Sequence, residues 1–386
     1  MISRRSFLIG CLPAALTACS SREIVRTIEA AARGGSLSGA VRSVATSKAT
    51  GWASNPQSFL RDIDRLDEFA QKFLKDVVDV WGQDNAKAPS AKVYVKYGDN
   101  YKSRGVIDFE RGVVRVETLV PSHLKQAIVT TLLSPQDPRE VDLFSADPVK
   151  LGKEPFLYRQ VVDHDGKYVR WEWRANRFAD HLMRTKRQTR TVVLKDGARK
   201  TESYVEFPLL RDHNDTRQNR YSALVNKYAA HYRLERALVY AVIKTESNFN
   251  PYAVSWVPAY GLMQIVPKTA GRDAYREIHG RAGTPSRDYL FNPENNIRMG
   301  CAYLHILQTR YLKHVRNLRT REYCVIAAYN GGAGNVLRSF HNNRDQAFAL
   351  INRSSPEAVY RRLRTKMPKE SQHYLEKVTT AKRAYA

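Results

Sequence analysis

Cysteine is scarce in this sequence: four in 386 residues, Cys11, Cys19, Cys301 and Cys324. No pair is spaced C-x-x-C and none of the ten histidines falls in an H-E-x-x-H, so no disulfide scaffold, metal or cofactor is expected. Acidic residues are also short, 38 Asp+Glu against 63 Lys+Arg, for a net charge of +25. Such an excess says little about fold and much about partners, which should be polyanions: nucleic acid, acidic lipid or an anionic wall polymer. No apolar run reaches the roughly 20 residues of a membrane-spanning helix; the stretch Phe7 to Leu16 is too short. Glycine (20) and proline (16) are too few for a collagen-like or low-complexity chain. What remains is a globular protein long enough for two domains plus accessory segments.

The N-terminus names a compartment. Arg4 and Arg5 precede the short apolar run, as in an export signal. Residues 3–8 resemble a twin-arginine signal, with Ile9 where that pattern carries lysine. Leu16-Thr17-Ala18-Cys19 resembles the bacterial lipobox. The resemblance implies removal of residues 1–18 and lipidation of Cys19, which would hold the protein on a membrane. Ser20 points to the outer membrane, with the protein facing the periplasm; an ordinary secretory signal is the alternative. Export sets nucleic acid aside and leaves lipid headgroups and peptidoglycan carboxylates as the anions met by a mature chain of net charge +23.

Residues 19–58 are rich in Ser, Ala, Gly and Thr and read as a tether, reaching about 35 Å if flexible. Residues 59–210 read as an α+β accessory domain. Its elements are a helix from Phe59 to Trp81, strands at Val93–Tyr97, Val106–Phe109 and Val113–Leu119, and a helix from Pro121 to Leu133 capped by Ser122. Hairpins are expected at Asp165-Gly166 and Asp196-Gly197. No chemical constellation stands out in it. Residues 211–386 are mainly α, with helices expected at Tyr221–Tyr232, Ala237–Ser247, Asn295–Tyr311 and Arg319–Tyr329. This part holds 29 Lys+Arg against 13 Asp+Glu, most of the positive field. The basic run Arg361-Arg362-Leu363-Arg364 reads as a solvated helix face, with contact to anionic wall or lipid as the alternative.

One carboxylate is out of place for a surface residue. Pro251 disfavours helix at Asn250, so the helix from Ala237 should end near Ser247–Asn248. Glu246 then lies in the last turn on the face of Val239, Val242 and Ile243. The helix C-terminus and apolar neighbours both favour its neutral form, raising its pKa above the usual value of about 4.3 and suiting it to general-acid work. From Ser247 to Arg272 there is no Asp or Glu. Tyr260-Gly261-Leu262-Met263-Gln264, Ala328-Tyr329-Asn330-Gly331-Gly332 and His373-Tyr374 supply the neutral donors, aromatics and glycines of a sugar-binding groove.

These blocks, E-S-x-F-N-P-x-A-x-S followed by G-L-M-Q-I, A-Y-N-G-G and a C-terminal Tyr, resemble the family-1 lytic murein transglycosylases. Residues 153–172 are similar to the accessory domain of membrane-bound members. Trp256-Val257-Pro258 departs from the pattern. The resemblance implies a lysozyme-like catalytic domain and a lyase that cleaves the MurNAc-β-1,4-GlcNAc bond of peptidoglycan without water. Glu246 would be the catalytic acid and then base, leaving 1,6-anhydro-MurNAc ends. It also implies substrate contacts from Ser255, Met263, Gln264, Tyr329, Asn330 and Tyr374. Two-carboxylate glycosidases need a second acid about 5–9.5 Å away; Asp273 is the nearest such acid C-terminal to Glu246 in sequence. A hydrolytic muramidase and a non-catalytic wall-binding lipoprotein are the competing functions. Cys301 and Cys324 are read either as a disulfide or as buried free thiols.

Overall fold

The computed structural model describes residues 68–386 apart from 83, 153, 195 and 256–258. The signal segment, Cys19, the tether, the start of the first helix and Trp256-Val257-Pro258 lie outside the described residues. The chain divides into two compact units. One runs to Thr216 and also takes Tyr252–Ala259; the other comprises Arg217–Pro251 and Tyr260–Ala386.

The first unit is built on a five-stranded antiparallel sheet in the order β1-β2-β3-β5-β4. Its strands are β1 (Val93–Gly98), β2 (Ser103–Asp108), β3 (Val113–Thr118), β4 (Gln188–Val193) and β5 (Arg199–Pro208). Alternation along β1 sends Val93, Val95 and Tyr97 to one face and Tyr94 and Lys96 to the other. Helix α1 (Glu68–Trp81) lays Phe73, Val77 and Trp81, one turn apart, against Val93, Val95, Tyr97 and Val106. Helix α2 (Leu124–Leu132) buries Leu124, Ile128, Val129 and Leu132 over β2 and β3, and α3 (Glu172–Thr185) packs on it. Ser122 is not a cap. It sits within a 3₁₀ turn, Pro121–His123, because Pro121 presets the helical φ and starts the turn one residue earlier. The hairpin expected at Asp165-Gly166 is reduced to a single bridge, Val162 with Tyr168, while that at Asp196-Gly197 joins β4 to β5. Tyr252 belongs to this unit because its ring meets Tyr94 (5.0 Å) and Phe156 (5.4 Å) edge-on and its hydroxyl donates to the Pro135 carbonyl.

A line of charge is buried on the α1 side of this sheet. Glu117 accepts from Arg104 Nε, Arg115 Nε and Lys87 Nζ (2.7 Å), and Glu202 accepts from Arg115 (3.1 Å) and Arg190 (2.8 Å). The Arg104 guanidinium also lies 3.7 Å over the Trp81 ring. Burial alone would raise the Glu117 carboxyl, but Arg104, Lys87 and Arg115 together hold it well below the ordinary range. Removing it leaves buried cations without a counter-ion. Glu117→Gln is therefore expected to cost about 3–5 kcal/mol in urea unfolding at pH 7. Because the folded carboxyl is depressed, its contribution is complete above about pH 4.5, the ordinary value, and fades as pH falls below it. Wild type should lose more stability than the variant between pH 6 and pH 3; parallel losses would contradict this.

Helix α4 (His213–Arg220) carries the chain between the units, and the second unit is helical. It contains α5 (Ser222–His231), α6 (Arg236–Ser247), α7 (Arg272–His279), α8 (Arg287–Phe291), α9 (Pro293–Ile306), α10 (Leu318–Gly331), α11 (Ala333–Arg338), α12 (Arg344–Arg353), α13 (Pro356–Lys366) and α14 (Lys369–Arg383). Asn or Ser side chains cap α8, α9, α10, α12 and α13. Five consecutive residues of α10, Cys324 to Ala328, are buried, so this helix is wrapped on all sides, by α9, α11, α13 and α14 among others. Helix α6 packs on α5 and α14. Cys301 and Cys324 are buried free thiols, both pushed up by burial, Cys324 to about 12. The basic run is partly structural: Arg362 and Arg364 donate to the carbonyls of Ser339 and Gln372, and Leu363 is core. Among the described residues no helix is long and apolar enough to cross a membrane.

Candidate active site

Helix α6 stops where Pro251 predicts. Asn248 takes the left-handed conformation (φ 53°, ψ 39°) and donates its N–H to the Lys244 carbonyl, while Lys244 Nζ holds the Asn248 side chain at 2.6 Å. Glu246, half-buried, is therefore presented from the final turn. The next residue, Ser247, is fully buried, and its hydroxyl bonds the Leu262 carbonyl at 2.7 Å. That bond fastens the end of α6 to the loop 260–265.

The loop is organised by Asn296 of α9, a residue that sequence reasoning misses. Its Nδ2 donates to the carbonyls of Tyr260 (2.7 Å) and Leu290 (2.8 Å), and its Oδ1 accepts from the Met263 N–H at 2.8 Å. Gly261 passes directly over this amide. A Cβ there would lie 2.4 Å from Asn296 Nδ2, and the backbone has φ +73°, so glycine is required twice over. Gln264, also at positive φ, donates to the Gly261 carbonyl at 2.9 Å. The Met263 side chain is buried, so what it offers the site is its backbone.

Two phenols stand over the carboxyl. Tyr329, in the last turn of α10, donates to the Met263 carbonyl at 2.9 Å, and its ring is nearly parallel to that of Tyr374 on α14 (6.4 Å, 6°). The Tyr374 hydroxyl is buried and makes no hydrogen bond of ordinary geometry, yet it lies close enough to Glu246 to feel its charge. Burial first, then the Glu246 carboxylate, holds both phenols well above their ordinary value. Both are neutral donors at physiological pH.

Asn330 locks the two helices that carry these rings. Its Oδ1 accepts from Ser371 (2.7 Å) and its Nδ2 donates to Glu370 (3.3 Å), one turn before Tyr374. A Cβ on neighbouring Gly331 would fall 2.4 Å from Ser371 Oγ, so the helices meet there at glycine.

Six of the sequence-predicted residues thus share the second unit: Glu246, Met263, Gln264, Tyr329, Asn330 and Tyr374. Ser255 is half-buried at the end of a two-residue strand, Val254–Ser255, in the segment that groups with the first unit. Cys19 lies outside the described residues. Asp273 accepts from Tyr311 at 2.8 Å. Among the described residues no cluster of three His, Cys, Asp or Glu is placed to hold a metal.

Comparison with known proteins defines the class first. Residues 223–352 match the family model of the transglycosylase SLT domain, so the helical unit that carries Glu246 belongs to that class. Residues 59–220 match the model of the membrane-bound lytic murein transglycosylase C N-terminal domain. Proteins of that name from Yersinia pestis (strain Pestoides F) and Yersinia pseudotuberculosis (serotype O:1b, strain IP 31758) are each 45% identical to this chain over 333 residues, 85% of it and 91% of their own length. The chain belongs to the family of membrane-bound lytic murein transglycosylase C. Among solved structures, the 70 kDa soluble lytic transglycosylase of Escherichia coli is 26% identical, with a TM-score of 0.34; the match covers 43% of this chain and 24% of that one.

Since Asn296 satisfies three buried backbone groups, Asn296→Ala should cost about 2–4 kcal/mol in urea unfolding. It should also lower cleavage by freeing the loop that Tyr329 grips. Wild-type stability in the variant would contradict this account of the loop.

Proposed function

We propose that the chain cleaves the β-1,4 bond between N-acetylmuramic acid and N-acetylglucosamine in peptidoglycan without water, with Glu246 as the single acid and then base. The observation that carries this is one half-buried carboxyl set beneath two neutral phenols at a helix end. Names of relatives that act on murein support the substrate.

In this scheme protonated Glu246 gives its proton to the glycosidic oxygen as the bond from C1 breaks, and the substrate's own N-acetyl oxygen stabilises the electron-poor C1. The C6 hydroxyl then bonds to C1 and its proton goes to the Glu246 carboxylate. The product is a 1,6-anhydromuramoyl end, and the acid is regenerated. Tyr374, close enough to the carboxyl to feel its charge, would orient it once substrate excludes water, since catalytic hydrogen bonds commonly tighten only in the complex. Gln264 would face the sugar from the loop that Asn296 holds, and Tyr329 from the last turn of α10. Met263 would shape the groove through its backbone, and Asn330 would hold the two tyrosine-bearing helices in register. Ser255 would contact the acetamido group.

Residues 1–18 would be removed on export and residues 19–58 would tether the catalytic unit to a lipid on Cys19, in the outer membrane facing the periplasm. That arrangement suits the family's membrane-bound name.

Glu246→Gln should abolish release of fragments from purified sacculi while pelleting with sacculi persists. Tyr374→Phe, which keeps the ring, should lower kcat by about tenfold or more with little change in KM. An active Gln variant would remove Glu246 from the mechanism.

A further inference from the structure

The accessory unit contains a cavity that the mechanism leaves unused. It has a volume of about 390 Å³ and opens between β1, β2, α2 and the segment 146–149. Its inner wall carries Lys96, Thr131 and Ser134, all buried, whereas Asp147 is exposed and Asp99 half-buried toward the mouth. Lys96 Nζ donates to the Ser145 carbonyl at 2.7 Å and reaches its hydroxyl at 3.5 Å. Among the described residues it has no carboxylate at ion-pair distance. Burial lowers this ammonium to about 8, with Asp142 and Asp147 pulling the other way. An ammonium so placed, bonded to one carbonyl and with Asp142 and Asp147 acting only at a distance, can still take an anion in direct contact.

The order of charge selects the ligand. A cation sits inside and carboxylates stand at the entrance, Asp99 being shared with His123 at 2.6 Å. A hydrocarbon chain would seal Lys96 in an apolar medium. A phosphate would bring two charges past two acids to meet Lys96, because the other cation of the lining, Arg104, is already taken by Glu117. A zwitterionic group, carboxylate inward and amine outward, matches both ends, and the hydroxyls of Thr131 and Ser134, which donate to the Ala127 and Thr130 carbonyls, can accept from an adjoining amide N–H.

We propose that this pocket binds a short peptide whose end carries a free carboxylate and a free amine, the stem peptide of the wall polymer being the form met by this protein. In naming that source the proposal rests on the peptidoglycan reading. It gives the accessory unit the task of registering peptide-bearing strands.

Calorimetric titration of the full chain in detergent with L-alanyl-γ-D-glutamyl-meso-diaminopimelate tests it. Wild type should bind the tripeptide and not its carboxyl-amidated form. Lys96→Met, which removes a buried charge and should fold, is expected to weaken binding at least about tenfold. Asp147→Lys, at an exposed position, should weaken it as well. Both variants should cleave peptide-free glycan at the wild-type rate. Undiminished binding by Lys96→Met, or no binding by wild type at millimolar peptide, would overturn the proposal. Binding is read apart from cleavage, so a chain that releases nothing from glycan would count against the function and not against the pocket.

Discussion

The site depends on a helix being made to stop. Asn248 and Phe249 both take positive φ, 53° and 60°. For a side chain as large as phenylalanine that conformation costs of order 1–3 kcal/mol. Surrounding bonds over-determine it: Phe249 is 1% exposed, Ser247 is tied to the Leu262 carbonyl, and Arg217 Nε donates to the Asn248 carbonyl at 3.2 Å. Had α6 continued, Glu246 would sit in mid-helix with Leu262 unfastened behind it. The strained corner turns the chain away and leaves the carboxyl at an open end.

Beyond the Arg217 and Lys244 contacts to Asn248, rigidity around that corner comes from side-chain amides. Asn296 holds the loop and Asn330 the two helices, each with a protein partner at both ends of its side-chain amide. The amides themselves add no net charge beside Glu246. A cation used in the same places would have held the carboxyl ionised and spoiled it as an acid. The accessory unit follows the opposite rule. Its buried acids, Glu117 and Glu202, each meet more than one cation, and those around Glu117 keep it ionised, which suits a sheet that has to hold its register and perform no proton transfer.

Much of this is legible in the sequence, for reasons that differ by residue. The end of α6 follows from Pro251, and the face that Glu246 shares with Val242 and Ile243 follows from helical spacing alone. Tyr329, Asn330 and Tyr374 are visible only through the order of the motif blocks, because nothing local marks a helix-end tyrosine as a partner of a distant acid. Asn296 is invisible: an asparagine in the first turn after the Asn292-Pro293 cap looks like ordinary helix-start chemistry. The buried charge line is hidden as well, since Glu117 and Glu202 occupy alternate strand positions that read as a solvent face. Helix α3 carries a readable stripe, Ala175, Phe178, Ala179 and Leu182, but two of the four are alanines and the rest of the helix is polar. Tyr252 shows how a family motif can run from one compact unit into another. Its ring is claimed by Tyr94 and Phe156, and no pattern within the motif indicates that.

The claim at the centre is that one carboxyl serves as acid and base while the substrate supplies its own nucleophile. The most direct test is mass spectrometry of the muropeptides that wild-type protein releases from purified sacculi. Termini lighter than the hydrolytic product by one water, with no free reducing N-acetylmuramic acid, are the predicted result. Ordinary reducing ends would mean that water enters the reaction, and the single-carboxylate lyase account would be wrong.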